Sequence, residues 1–236
     1  MTKQIVLLTP DEQAPDLITI LRRHAPDAAI TQAVDLDGLQ RACRTLNTGD
    51  RLLAFATPVI VPADVLDALP GPAYNFHGGP PTYPGLFPAS FAIYEGATMF
   101  GVTAHEMTAD VDQGAIVAVD TFPIPTNVDR LNLEALSRKM LLALVDRLSS
   151  TLLETDGPLP TLDIAWAPHV RRMRDFEALC RLPENVDQAE FQRRYHAVAE
   201  GPFHALRIPV HGRWFRLESV PGDGHVYRGG QKVTDD

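Results

Sequence analysis

Between Ile5 and Pro123, short apolar runs of strand length take turns with stretches of helical periodicity, and this alternation confines the chain to layered α/β folds. Ile5 to Leu8 reads as a strand, Ala14 to His24 as a helix with Leu17, Ile18 and Leu21 on one face, Ala28 to Ala33 as a strand and Leu36 to Leu46 as a helix. The Leu52 to Ala56 strand, a short helix Pro62 to Ala68 opened by its proline, the Ala73 to His77 strand and a helix from Ala89 to Glu95 follow. Gly101 to Met107 and Ala115 to Pro123 read as a pair of strands. A mainly parallel sheet with helices on both faces is the expected architecture.

Beyond the sheet, Leu131 to Leu153 is the longest periodic stretch, with Leu133, Leu136, Met140, Leu144 and Leu148 spaced for a buried stripe. The turn-rich Asp156-Gly-Pro-Leu-Pro160 then divides the chain into a larger domain, 1–160, and a small C-terminal α+β lobe, 161–236. In that lobe a helix is expected from Gln188 to Val198, then a hairpin of Ala205 to Val210 and Arg213 to Val220 joined by His211-Gly212, with only partial order from Pro221 onward.

With 236 residues, 45% of them hydrophobic, the chain can bury one sizeable core. Its two cysteines, Cys43 and Cys180, form no disulfide framework, no apolar run approaches the roughly 18 residues of a membrane span, and Met1-Thr-Lys-Gln leads straight into a strand, so the cytoplasm is the expected location. A net charge of −9 disfavours a nucleic-acid partner. Arg171, Arg172, Arg174, Arg181, Arg193 and Arg194 nevertheless crowd into one region, and their plainer reading is pairing with Asp175, Glu177, Glu184 and Glu190.

The chemistry-bearing residues are Asn75 and His77, two apart on one strand and so on one face, together with Thr103-Ala-His105 and Asp110-Val-Asp112-Gln-Gly114. An amide donor suits a carbonyl oxygen gaining negative charge, an imidazole can donate or pass a proton near neutral pH, and a carboxylate can hold that imidazole or collect protons. No Ser or Cys stands beside the histidine, so a covalent acyl-enzyme is not expected. His77, His105, Glu106 and Asp112 could in composition ligate a divalent ion, but Glu106 alternates away from His105 and no metal is expected. Asp110 is read as a turn residue, and His105 as equally well a packing residue. Because open parallel sheets bind ligands at their carboxyl ends, the site is expected at the ends of the strands carrying His77 and His105.

The ordered set Asn75-x-His77, Gly78-Gly-Pro-Pro-Thr-Tyr-Pro-Gly-Leu-Phe-Pro88, Gly101-Val-Thr-x-His105 and Asp110-x-Asp112-x-Gly114 resembles the folate-dependent formyltransferases, in outline the amino-sugar N-formyltransferases among them. The resemblance is dense from about Leu52 to Pro125. It implies a Rossmann-like formyltransferase fold, 10-formyltetrahydrofolate as formyl donor and an amine acceptor. By that likeness Asn75 and His77 would hold the formyl oxygen and Asp112 would manage protons. Thr103 and His105 would order water and the aspartate, and the backbone of Ala56, Thr57, Pro58, Val59 and Ile60, with the loop Thr108, Ala109, Asp110, Val111 to Asp112, would grip the pterin.

Two departures bear on the acceptor. Gly78-Gly79 follows the histidine where relatives carry bulkier residues, which would leave the acceptor more room. The first strand runs into Thr9-Pro-Asp-Glu-Gln-Ala-Pro15 without a glycine, which removes a phosphate cradle of the glycinamide ribonucleotide kind. The expected acceptor is therefore the amine of a nucleotide-linked sugar, its diphosphate held by the arginine-bearing lobe. Methionyl-tRNA, a small amine, water in a formyl-folate hydrolase, and a non-catalytic folate binder are the alternatives.

Overall fold

The computed structural model describes residues 3–198, 206–216, 226–228 and 231–233. Six strands form the central sheet: β1 (Gln4–Leu8), β2 (Ala29–Ala33), β3 (Arg51–Phe55), β4 (Tyr74–His77), β5 (Met99–Glu106) and β6 (Ile116–Pro123). Their order is β2-β1-β3-β4-β5-β6; the first four run parallel and β5 and β6 are antiparallel to their neighbours. The helices are α1 (Ala14–His24), α2 (Leu36–Cys43), α3 (Ala63–Asp67), α4 (Pro88–Tyr94), α5 (Arg130–Glu154), α6 (Met173–Cys180) and α7 (Gln188–Val198).

Period two along the strands sorts the core into two layers. Ile5, Leu7, Leu53, Phe55, Tyr74 and Phe76 point to one face, where α1 and α5 cover them with Leu17, Leu21, Leu141 and Leu144. Val6, Leu8, Leu52 and Ala54 point to the other, under Leu39 and Ala42 of α2 and Val65 of α3. Helices therefore lie on both faces, as the alternation requires. On this second face the register places Leu8, Ala54, Asn75 and His105 in one row across β1, β3, β4 and β5. The row is apolar where α2 and α3 cover it and becomes polar beyond them, which leaves the β4–β5 half free for chemistry.

The side chains of α5 differ from the expected stripe. Leu133, Ser137, Leu141, Leu144, Val145, Ser149 and Leu152 are buried, whereas Leu136 is exposed. Two serines face inward because each spends its hydroxyl on a backbone carbonyl, Ser137 on Gly78 (2.8 Å) and Ser149 on Val145 (2.7 Å), and their small size lets the helix approach closely.

A third cluster joins Phe91 and Ala92 of α4, Phe100 of β5 and Leu133 of α5 to Phe176 and Leu179 of α6 and Ala197 and Val198 of α7, so residues on both sides of position 160 share it. Helix α6 is a departure from expectation, which placed no helix there. β7 (Arg207–Val210) and β8 (Arg213–Arg216) form the expected hairpin, with His211 at φ +48° and Gly212 at φ +75°, the paired positive values of a two-residue turn whose twist matches its strands. The outer ends expected for this hairpin, Ala205 and 217–220, lie outside the described residues. Past Pro221, β9 (Val226–Arg228) and β10 (Gln231–Val233) pair antiparallel. Among the described residues no helix is long and apolar enough to cross a membrane.

Candidate active site

Four polar side chains converge on the uncovered half of the sheet around a single carboxylate. Asn75 and His77 project from β4; His105, opposite Asn75 in the antiparallel register, projects from β5. A register shift at Ala104/His105 against β6 marks a bulge, the usual device for re-aiming a strand side chain. Asp112 arrives on the turn between β5 and β6 with φ +48°, and it is buried, 6% exposed. Because β5 runs antiparallel to β4, its carboxyl end lies beside the start of β4. His77 ends β4 and His105 stands one residue from the end of β5, as expected, but the antiparallel pairing puts those two ends at opposite ends of the pair, so the site occupies the sheet's face between them.

Asp112 is the hub. Its Oδ1 accepts from Asn75 Nδ2 (3.3 Å) and lies 3.2 Å from His105 Nε2; its Oδ2 accepts from the Gly85 N–H (2.8 Å) and lies 3.3 Å from His77 Nδ1. The far nitrogens fix the tautomers. His105 Nδ1–H donates to the Glu106 carbonyl (2.7 Å), which leaves Nε2 to accept from Asn75 Nδ2 (3.1 Å). His77 Nε2–H donates to the Tyr83 carbonyl (3.0 Å), which leaves Nδ1 facing the carboxylate.

Burial opposes charge on both members of the His77–Asp112 pair. It pushes the His77 imidazole below its usual range, with Asp112 and the Tyr83 carbonyl pulling the other way. For Asp112, burial is outweighed by the two imidazoles and the Gly85 N–H, which bring its carboxyl down to about 2. The two directions compete for one proton, since a low Asp112 leans on a charged His77. Nδ1 and Oδ2 stand 3.3 Å apart, and because Nε2–H is committed to Tyr83 the two are facing acceptors until a proton comes between them. The result is a place between Nδ1 and Oδ2 prepared to take up a proton.

Both shifts have the same consequence for stability. A folded His77 value below about 6.5 and a folded Asp112 value of about 2, against 3.8, mean that the unfolded chain binds more protons in acid. Stability is full above pH ~6.5, falls first as His77 must charge, and from Asp112 falls by at most about 2 kcal/mol as pH drops from ~4 to ~2. Urea midpoints at pH 7 and pH 5 are expected to differ less in His77→Gln than in the unaltered protein.

The glycine pair does something other than make room for an acceptor. A Cβ on Gly79 would lie 2.6 Å from Pro88 Cβ and 2.7 Å from His77 Nε2, so the space it vacates is taken by the histidine itself. Thr103 Oγ1–H donates to the Gly79 carbonyl (2.8 Å), and with the Ser137 bond to Gly78 it fixes the turn. Gly79→Ala is expected to destabilise by about 1–3 kcal/mol and to displace the His77 ring, measured by thermal melting and by loss of turnover.

Residues 37–142 match the sequence model of the formyl transferase family, and all four converging side chains fall within the match. Over this stretch the chain is similar to the formyl transferase family. Solved structures of similar fold include a sugar N-formyltransferase from a Shewanella species, with TM-score 0.76, 15% identity, and coverage of 92% of this chain and 97% of that one. The N-formyltransferase of Helicobacter canadensis in complex with folinic acid and dTDP-3-aminofucose gives 0.66 and 14%, covering 90% and 85%. HypX of Aquifex aeolicus in complex with tetrahydrofolic acid gives 0.63 and 18%, covering 97% and 40%. At these identities the likeness is one of fold.

The matched stretch carries the residues expected to grip a pterin on two loops beside the cluster. Ala56, Pro58 and Ile60 are exposed after β3, with Thr57 and Val59 half-buried, and Thr108, Ala109, Asp110 and Val111 are exposed after β5. Ile60 is 68% and Val111 43% exposed, apolar surface of the sort a flat heterocycle covers, and the flanking main chain offers polar groups. Each loop is braced from within, Thr57 Oγ1 accepting from the Val59 N–H (3.1 Å) and Thr108 Oγ1–H donating to the Asp110 carbonyl (2.9 Å). Among the described residues no group of three or more His, Cys, Asp or Glu is arranged to hold a metal ion.

Trp166 is the site residue that the sequence reading passed over. Its ring meets His105 edge-on at 5.0 Å between centroids and His77 at 5.8 Å, and its Nε1–H donates to the Gly114 carbonyl (2.8 Å). Of the six clustered arginines, Arg171 pairs with Glu95, Arg181 with Glu177, and Arg193 and Arg194 with Glu190, while Arg172 and Arg174 are exposed. Arg194 also closes the carboxyl end of α6 by donating to the carbonyls of Ala178, Leu179 and Arg181.

Proposed function

We propose that the protein is an N-formyltransferase that moves the formyl group of 10-formyltetrahydrofolate to the amine of a nucleotide-linked amino sugar. The observation that carries this reading is the convergence of Asn75, His77 and His105 on Asp112 inside the stretch that matches the formyl transferase family. When bound, the folate supplies an activated formyl carbon; everything else falls to the chain's own residues.

Asn75 is the half-buried member, and its bonds of 3.1 and 3.3 Å are long enough to be exchanged for a carbonyl oxygen gaining charge. Giving up one of the two frees an N–H of Nδ2 for that oxygen, while the other keeps the amide in place. Both nitrogens of His77 are engaged, so we assign the formyl oxygen first to Asn75 and the proton released by the attacking amine to the His77–Asp112 pair. The exposed pair Ile60 and Val111 supports a pterin between the two loops. The dTDP-3-aminofucose bound by the Helicobacter canadensis enzyme supports a sugar-nucleotide acceptor, and we assign its diphosphate to the exposed Arg172 and Arg174 of the arginine cluster.

The test is to incubate the protein with 10-formyltetrahydrofolate and follow tetrahydrofolate release with and without a panel of amines that includes amino-sugar nucleotides. Release that depends on the sugar nucleotide is expected. Release at the same rate without any amine identifies a hydrolase, and binding without release under every condition identifies a folate binder.

A further inference from the structure

Residues 162–171 form a strap over the polar half of the second face, tied at both ends and along its length, and the chain enters it from the opposite face, where Leu159 is buried beside Tyr74. The Leu159 N–H donates to Tyr74 Oη (2.7 Å) and the Leu162 N–H to the Ile116 carbonyl (2.7 Å). The Ala167 N–H donates to Pro81, the Arg171 N–H to Pro84, and the Leu86 N–H to Arg171, each at 2.9 Å. The Arg171 guanidinium then anchors the far end on Glu95 (2.6 Å) and over the Phe91 ring (4.5 Å). Gly85 is required at this crossing, because its φ is +94° and a Cβ there would lie 2.1 Å from the Arg171 carbonyl oxygen. That same Gly85 gives its N–H to Asp112 (2.8 Å). Backbone ties of this density hold the strap as a fixed cover.

Trp166 is the one side chain the strap sets against both imidazoles. Its indole N–H donates to the Gly114 carbonyl, two residues beyond Asp112, so a single side chain touches both imidazoles and the turn that carries the carboxylate. We propose that Trp166 is a positioning residue that keeps the His77 and His105 rings on Asp112 and keeps bulk water out, so that the formyl group passes to an amine and not to water. This rests on the formyl-transfer reading above. The reaction it suppresses is addition of water to the formyl carbon with cleavage of its bond to N10, one water proton passing to N10, to give formate and tetrahydrofolate.

The test measures two quantities in Trp166→Ala and Trp166→Phe, with folding checked by circular dichroism. The first is the partition of formyl groups between acceptor and formate. The second is the pH titration of the His77 ring by nuclear magnetic resonance, in the field of Asp112, His105 and the Tyr83 carbonyl that face it. In Trp166→Ala, transfer is expected to fall about tenfold or more with KM for the donor little changed, the formate share to rise about tenfold, and the His77 titration to move toward the ordinary histidine range. Trp166→Phe, which keeps ring edges against the imidazoles, is expected to restore most of the partition. A folded Trp166→Ala with unaltered partition and titration overturns the proposal. If Trp166→Ala does not fold, Trp166→Leu carries the same readouts, since it retains bulk without the ring. Should the unaltered protein transfer no formyl group at all, the proposed function fails and the titration alone decides the role of Trp166: an unmoved His77 overturns it.

Discussion

Asp112→Asn is expected to lower kcat for formyl transfer by about 10³- to 10⁴-fold, with KM for the donor changed far less. The substitution preserves shape and removes charge. The carboxylate now accepts on both oxygens, from Asn75 on one side and Gly85 on the other, and an amide cannot do so; whichever way it turns, an NH₂ meets another N–H. The proton place beside His77 Nδ1 disappears with the charge. The variant therefore also unfolds more readily, by about 1–3 kcal/mol at pH 7 in urea titration. It loses as well the acid-dependent part of stability that the depressed Asp112 carboxyl provides.

Asn75→Ala is expected to cost about 10²- to 10³-fold in kcat, the range for removing one donor to a developing oxyanion. The distinction from Asp112→Asn lies in the pH profile. Asn75 carries no proton that the reaction consumes, so the rate in Asn75→Ala should be lowered evenly across pH, with the acid limb in place. In Asp112→Asn the limb should shift, because the His77 ring loses the carboxylate that raises its affinity for a proton. Profiles of kcat from pH 5 to 9 in the two variants separate oxygen binding from proton handling, and parallel profiles would contradict the division of labour between Asn75 and the His77–Asp112 pair.

Much of this was legible in local pattern. Alternation and helical periodicity located the six strands and the helices that cover them, because burial on two faces imposes those periods on any sequence. Asn75 and His77 were legible as neighbours by period two, and the family resemblance carried Asp112 to the same place. Strand direction was not legible: period two is the same in parallel and antiparallel strands, so the position of His105 beside Asn75 followed only from the register of β5. Leu136 was assigned to the buried stripe of α5 on hydrophobicity, whereas Ser137 is buried there because the backbone at Gly78 supplies its partner. Helix α6 is eight residues long, too short for its period to stand out among arginines. Trp166 reaches Gly114 across 52 positions and was invisible for that reason, since no local rule links a residue of a turn-rich segment to two imidazoles.

The most direct test of the account follows an isotopically labelled formyl carbon from 10-formyltetrahydrofolate in the presence of the protein and an amino-sugar nucleotide. The label is expected on the sugar amine, at a rate that Asp112→Asn abolishes. Label that stays on the folate, or that appears only as formate at the same rate with and without the sugar, would contradict it.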